Sequence, residues 1–328
     1  MTTYNQLAGL RVNYLGSDPT LNSGNEGQVW YNSTTGTLRA LVQIKSWSSG
    51  GNMGTARREL GGLGTQTAGL AYGGGTTTVI TNATEEYDGA SWTAGGNLSG
   101  VVRTFPGNAG TQTAGLGFGG YTSAPPAGAI NATEEYDGSS WTAGGNLGTT
   151  RRQLAGCGLQ TAGLGFGGLT PTANTNATEE YDGSAWTAGG NLGTTRRSLA
   201  GAGIQTSGLA FGGLNGSPTS NATEEYDGSA WTAGGNLNNG RRYLAGAGTQ
   251  TAGLTFGGDS GSITGATELY NGTSWTTSTS LTTARQASGG AGTQTAGLAF
   301  GGYTGTVISN ATEEFTGAFL STKKITTS

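Results

Sequence analysis

A chain of 328 residues can form one large or two medium domains, and this one carries 66 glycines, one cysteine, no histidine, 10% charged residues and a net charge of −4. The glycines keep no three-residue period, which excludes collagen, and a disordered chain would not hold aromatic residues at fixed phase, so a folded, turn-dense β protein remains. One cysteine excludes an internal disulfide, the absence of imidazole removes the usual zinc, haem and Ser-His-Asp sites, and the acidic balance lacks the footprint of a nucleic-acid surface.

The opening MTTYNQLAGLRVNYLGSDPT has no basic segment followed by an apolar core, and no later stretch approaches 18 consecutive apolar residues. Neither a classical export signal nor membrane insertion is expected. Residues 10–15 are apolar-rich and end at the breaker cluster Gly16-Ser17-Asp18-Pro19. Further on, Gln28-Val29-Trp30-Tyr31 and Thr37-Leu38-Arg39-Ala40-Leu41 flank Asn32-Ser33-Thr34-Thr35-Gly36, which predicts a β-hairpin. A lone hairpin is marginal, so this one is expected to dock on something.

From Trp47 a repeat takes over, seen most clearly in residues 131–168 and recurring every 44 to 49 residues. Four strand-like pieces recur in each copy. The first follows Arg57, Arg103, Arg151, Arg196, Arg241 or Arg285, each nine residues before a glutamine. The second, such as Leu164-Gly165-Phe166-Gly167-Gly168, alternates as a half-buried strand does and ends at a glycine pair. The third ends at Tyr87, Tyr136, Tyr181, Tyr226, Tyr270 and Phe315, and in the first five copies a tight Asp-Gly or Asn-Gly follows. That dipeptide predicts a hairpin into a fourth strand at Trp92, Trp141, Trp186, Trp231 or Trp275. No stretch shows an apolar 3.6-residue period, and the glycine density opposes helix.

Arginine, Gly-Gly, Glu-x-Tyr-Asp and a following tryptophan resemble the kelch repeat, over residues 47 to about 320. The resemblance implies an all-β fold: a six-bladed kelch-like β-propeller of four-stranded antiparallel blades, preceded by a short N-terminal β-hairpin segment. The organisation expected is an attachment segment at 1–45, the propeller at 46–320 and a tail at 321–328. Six copies of the first three strands meet seven candidates for the fourth. Either the Trp47 strand closes the ring on the last blade, or Leu320 begins that blade's own fourth strand and the Trp47 strand belongs to the hairpin.

Eleven of the 13 glutamates sit in or beside the third strand, often as Glu-Glu. Adjacent strand residues face opposite ways, so these are poor acid/base partners, and an Arg-Glu pair holding strands is the simpler reading. Sialidases also use six-bladed propellers and an arginine cluster, but their S-x-D-x-G-x-T-W box differs from Asp137-Gly138-Ser139-Ser140-Trp141. The copper chemistry of kelch-bearing galactose oxidase needs histidine. No D-x-[DN]-x-[DN]-G calcium loop is present, so no metal or other cofactor is expected. The N-A-T triplets at Asn82, Asn131, Asn176, Asn221 and Asn310 are read as starts of the third strand, not glycosylation sites. Cys157 replaces Ala202 and Ala247 of other copies and is read as a small buried residue.

The segment after Gly-Gly varies most between copies. Thr76, Tyr121, Pro125, Pro126, Thr170, Pro171, Asn215, Pro218, Asp259 and Tyr303 are therefore candidate recognition residues on one face. Simple drift of surface loops would leave the same trace. Residues 27–39 resemble a short module of tail fibres and related structural proteins of tailed phages, and the glycine- and threonine-rich copies resemble phage virion proteins. This second resemblance implies a non-enzymatic virion protein on the tail or particle surface, made in the host cytoplasm and present in several copies. Its N-terminal segment, with Trp30, Tyr31, Leu38 and Leu41, would dock on other virion proteins. Its loops would contact a host-cell glycan or receptor, with no nucleic acid as partner. The alternative is a carbohydrate-active propeller that binds or cleaves glycan.

Overall fold

The computed structural model describes residues 12–19 and 28–325, without the side chains of 41–43 and 318–324. The residues before 12, the start of the 10–15 piece among them, lie outside that description. The described residues are all β, with no helix and hence none able to cross a membrane. The chain divides into two compact units, Met1–Ser46 with Thr316–Ser328, and Trp47–Phe315.

The larger unit holds five four-stranded antiparallel sheets and part of a sixth, six-stranded one, in a propeller-like blade architecture. The third sheet is representative: Ala155–Leu159, Ala162–Phe166, Thr178–Tyr181 and Trp186–Ala188 lie side by side in chain order. Its last turn is closed by Asp182, whose Oδ1 accepts from the backbone N–H groups of Ser184 and Ala185 at 2.8 Å. Those bonds hold the carboxyl below its ordinary pKa. Asp-Gly thus marks a self-capped turn.

Glycine-rich strands bury little of their own, so neighbouring sheets supply the bulk. Phe118, fully buried in the second sheet, lies against Gly156 and Gly165 of the third. A Cβ on Gly156 would stand 2.4 Å from its ring. Phe118 then meets Trp186 at 4.7 Å between ring centroids. At the end of the second strand, Gly167 and Gly168 turn the chain at φ +63° and +107°, a conformation that penalises a side chain.

Two bonds, from a tryptophan and a glutamine, repeat across all six junctions, and a tyrosine–glutamate bond joins them at five, the exception being the junction where Phe315 and Leu269 replace that pair. Between the second and third sheets, Trp186 Nε1 donates to Thr133 Oγ1 at 3.0 Å, Gln160 Nε2 donates to Tyr136 O at 2.8 Å, and Tyr181 Oη donates to Glu135 Oε1 at 2.5 Å. The same trio links the first sheet to the sixth, through Trp92 to Thr312, Gln66 to Phe315 and Tyr87 to Glu314. The six first strands neighbour one another in a cycle, Gly289–Gly292 packing beside Gly61–Thr65.

The sixth sheet runs Gly289–Gly292, Ala296–Phe300, then the strand Thr312–Lys324, then the strand Thr37–Ser49. The Trp47 indole donates to Thr267 Oγ1 at 3.0 Å, as every other repeat tryptophan does one sheet back. Residues 312–324 form one uninterrupted strand, so no separate fourth strand begins at Leu320, and residues 321–324 are strand where the sequence suggested a tail. The reason is local: Thr316-Gly317 replaces the Asp-Gly turn, and Phe319, Leu320 and Thr322 favour extended backbone.

Within each sheet the arginine is fully buried, and in the five sheets that carry Glu-Glu the two glutamates separate. Glu179 meets Arg151 at 2.8 Å, whereas Glu180, on the other strand face, accepts from Tyr226 Oη at 2.5 Å. Cys157 is buried, and desolvation raises its thiol to about 12.

In the smaller unit, Val29–Asn32 pairs antiparallel with residues 37–40, and Asn13–Leu15 adds a parallel strand that sequence patterning did not suggest. Asp18 ties them together, accepting from Arg39 Nη1 at 2.6 Å, Asn32 Nδ2 at 2.8 Å and Trp30 Nε1 at 3.0 Å. The Asn32 and Trp30 hydrogen bonds, more than the Arg39 charge, hold its carboxyl below the ordinary 3.8. A depressed folded-state pKa gives stability that is present above the unfolded value and lost as pH falls through the folded one. The Trp30 indole NMR signal is therefore expected to shift as pH drops below about 4, and Asp18→Asn to abolish that shift. A signal unchanged down to about pH 2 would show that Asp18 does not hold the hairpin.

Candidate functional site

Two residues after each repeat arginine stands a residue that differs in every copy: Glu59, Phe105, Gln153, Ser198, Tyr243 and Ala287. All six have left-handed backbone, with φ between 52° and 61°. For residues other than glycine this costs on the order of 1–3 kcal/mol each and persists only where the surroundings impose it. A closed ring of hydrogen bonds imposes it here. Phe105 N donates to Glu59 O at 2.7 Å, Gln153 N to Phe105 O at 3.1 Å, Ser198 N to Gln153 O at 2.8 Å and Tyr243 N to Ser198 O at 2.9 Å. Ala287 N then donates to Tyr243 O, and Glu59 N to Ala287 O, both at 2.8 Å.

This collar rims a cavity of about 110 Å³ at one mouth of the ring of first strands. Its side chains converge across the centre. Phe105 and Tyr243 come from the second and fifth sheets, yet their rings lie 5.5 Å apart. Gln153 Nε2 donates to Tyr243 Oη at 3.2 Å. Three polar atoms of lining residues are buried without a protein partner: Gln153 Oε1, Ser198 Oγ and Ser288 Oγ. Such groups cost about 1–3 kcal/mol when left unsatisfied, and Ser198 itself is only 5% exposed. Ser288 replaces the leucine found at Leu60, Leu154, Leu199 and Leu244. Glu59 lies in the same rim. Burial raises its carboxyl pKa, and Arg58 beside it, at 3.3 Å, lowers it in part.

Glu59, Phe105 and Gln153 also line a groove of about 430 Å³ between residues 75–80 and 121–123. Its cations are Arg58 and Arg152. Arg152 lies over the Tyr121 ring at 4.9 Å and Arg58 over Tyr303 at 5.3 Å, so aromatic faces hold both guanidinium groups in place.

The loop residues singled out in the sequence divide into three sets. Thr76 and Tyr121 line the groove. Asp259 pairs with Arg242 at 3.0 Å, and Tyr303 donates to Gly305 O at 2.6 Å and seats Arg58 without itself lining the groove. Pro125, Pro126, Pro171, Asn215 and Pro218 are exposed, and Thr170 caps its own turn by donating to Ala173 O at 2.9 Å. These six line neither the cavity nor the groove. Of the proposed attachment residues, Trp30 is buried, Tyr31 lies 4.8 Å from the exposed Tyr14, and Leu38 O accepts from Ile325 N at 2.8 Å. Leu41 lies in the strand Thr37–Ser49, its side chain outside the described residues.

The collar escaped the loop-based reading because its members sit inside the most regular part of the repeat. The signal was available as the single changing position in Arg-Arg-Glu-Leu, Arg-Arg-Gln-Leu, Arg-Arg-Ser-Leu and Arg-Arg-Tyr-Leu. Among the described residues, no three metal-ligating side chains gather around one point. No family model matches the chain, and no curated protein resembles it closely enough to count as a relative.

Proposed function

We propose that the six sheets are the blades of a closed kelch-like propeller, with residues 47–49 as the last blade's fourth strand, and that the protein is a non-enzymatic virion adhesion component. In this reading the N-terminal segment docks on other virion proteins and the collar face meets a host-cell surface glycan. The carrying observation is the collar itself, where near-identical repeats diverge at one phase and present six different side chains around one cavity. Scaffold positions stay constant while this position varies, as expected for a recognition surface on a rigid frame. A binding role is favoured over a cleaving one because, among the described residues, Glu59 is the only carboxylate lining cavity and groove, and glycoside hydrolysis ordinarily uses two.

The virion assignment rests on the resemblance of residues 27–39 to a tail-fibre module. Particles carrying a C-terminal label on this chain are expected to show the label at one structural location by negative-stain microscopy. Virions without label would overturn the assignment. Purified protein is expected to coat host cells and to lose that binding once surface polysaccharide is stripped.

A further inference from the structure

Building on the adhesion reading, we infer that the collar cavity and its groove form one carbohydrate cleft that takes the end of an acidic glycan chain. The terminal sugar occupies the junction of the two, and a carboxylate-bearing sugar lies beyond it between Arg58 and Arg152.

The chemistry of the walls leads to this class of ligand. Every collar N–H is spent on the ring of backbone bonds, so no array of free amides remains there to cradle a phosphate. Recognition therefore falls to side chains. At the junction these are the Phe105 ring, the Glu59 carboxylate and the Gln153 amide, which line both spaces. An aromatic face receives the apolar face of a sugar ring, and a carboxylate and an amide oxygen accept hydrogen bonds from its hydroxyls. Gln153 Oε1 has no protein donor, and the buried Oγ of Ser198, the next member of the collar, has no partner either. A polyhydroxyl ligand supplies both kinds of missing partner.

Beyond the junction the character changes. The groove carries two guanidinium groups, each seated on an aromatic ring, against the single carboxylate of Glu59. A fixed, planar guanidinium suits a sugar carboxylate. The groove, of about 430 Å³, shares Glu59, Phe105 and Gln153 with the cavity and reaches residues 121–123, so a chain whose end lies at the junction can continue into it.

The test is an array of neutral and uronate- or sialate-bearing bacterial oligosaccharides probed with the intact chain. Acidic oligosaccharides are expected to bind, and Phe105→Ala and Arg152→Gln each to weaken that binding by about tenfold or more. Thermal melts of the same variants show that each remains folded, and Leu159→Ala, exposed at a strand end outside the cleft, serves as the variant with unchanged binding. Acidic glycans bound equally by Phe105→Ala and Arg152→Gln would move the site elsewhere and overturn the cleft, leaving the adhesion reading standing. Preference for neutral glycans would overturn the acidic assignment. Capture of no glycan by the unaltered protein would overturn both the cleft and the glycan-adhesion reading.

Discussion

Replacing Trp47 with alanine is expected to destabilise the larger unit by about 3–5 kcal/mol, the usual cost of deleting a buried aromatic side chain. Trp47 is only 8% exposed. It packs edge-on against Phe256 at 4.9 Å and lies 5.2 Å from Phe315. Its indole is satisfied by Thr267, 220 residues away. Trp275 has the same surroundings one sheet earlier, with Phe211 and Tyr270 both at 4.9 Å and Thr223 as acceptor. Trp47→Ala and Trp275→Ala should therefore shift the urea midpoint by similar amounts, although one lies near the chain's start and the other inside the repeats. A Trp47→Ala cost within about 0.5 kcal/mol, typical of surface substitutions, would show that this strand does not complete the sixth sheet. Removing residues 1–52 is the harsher version. The truncated chain is expected to lose cooperative melting near the original temperature, because it opens an edge and strips the partner from Phe256 and Phe315.

The second large effect is expected at the buried ion pair of any blade, and Arg151 serves as the example. Its side chain is fully buried. It donates to Glu179 Oε1 at 2.8 Å and to the carbonyls of Gly167 at 3.0 Å and Ala177 at 2.7 Å. Glu179 Oε2 meanwhile accepts from Gly148 N at 2.6 Å, so the pair fastens three segments of chain. Desolvation lowers the arginine's pKa from its ordinary value and the Glu179 charge raises it again. Arg151→Met leaves the carboxylate buried without its cation and is expected to cost about 3–5 kcal/mol. Adding Glu179→Leu should recover part of that loss, since paired charges replaced together by apolar groups are often near neutral. Recovery stays incomplete because two carbonyls lose their donor. A thermodynamic cycle of the two single variants and the double variant measures the coupling. A single-variant cost near zero would mean that water enters the site and the pair is not structural.

These two positions also show how unevenly the sequence displays its own meaning. The all-β class, the four strands per repeat and the hairpin turns were legible because they depend on local chemistry. Asp-Gly sets the turn, Leu164 and Phe166 alternate, and glycine density opposes helix. The opposite orientation of Glu179 and Glu180 followed from strand geometry alone. The collar was not legible as a site, because Phe105 and Tyr243 lie 138 residues apart by their numbers and meet only once the first strands stand in a cycle. Loop variation drew attention to Pro125, Pro126 and Pro171 at exposed tips, whereas one changing residue inside a regular strand approach lines the cavity. Trp30, which the sequence places in the segment expected to dock on other virion proteins, is buried with its indole on Asp18, a contact that only the folded hairpin makes.

What the sequence determined by itself is the repeat 131–168 and its copies, with strand content, turns and buried arginine written into each period of 44 to 49 residues. Such features need only neighbours along the chain or within one sheet. What the tertiary structure decided is how the copies meet. It sets Phe118 into the glycines of the next sheet, brings the Trp47 strand beside residues 312–315, and joins six unlike residues head to tail. Each of these depends on the distance between sheets, which no local pattern encodes, because glycine specifies the space a neighbour can enter without specifying the neighbour.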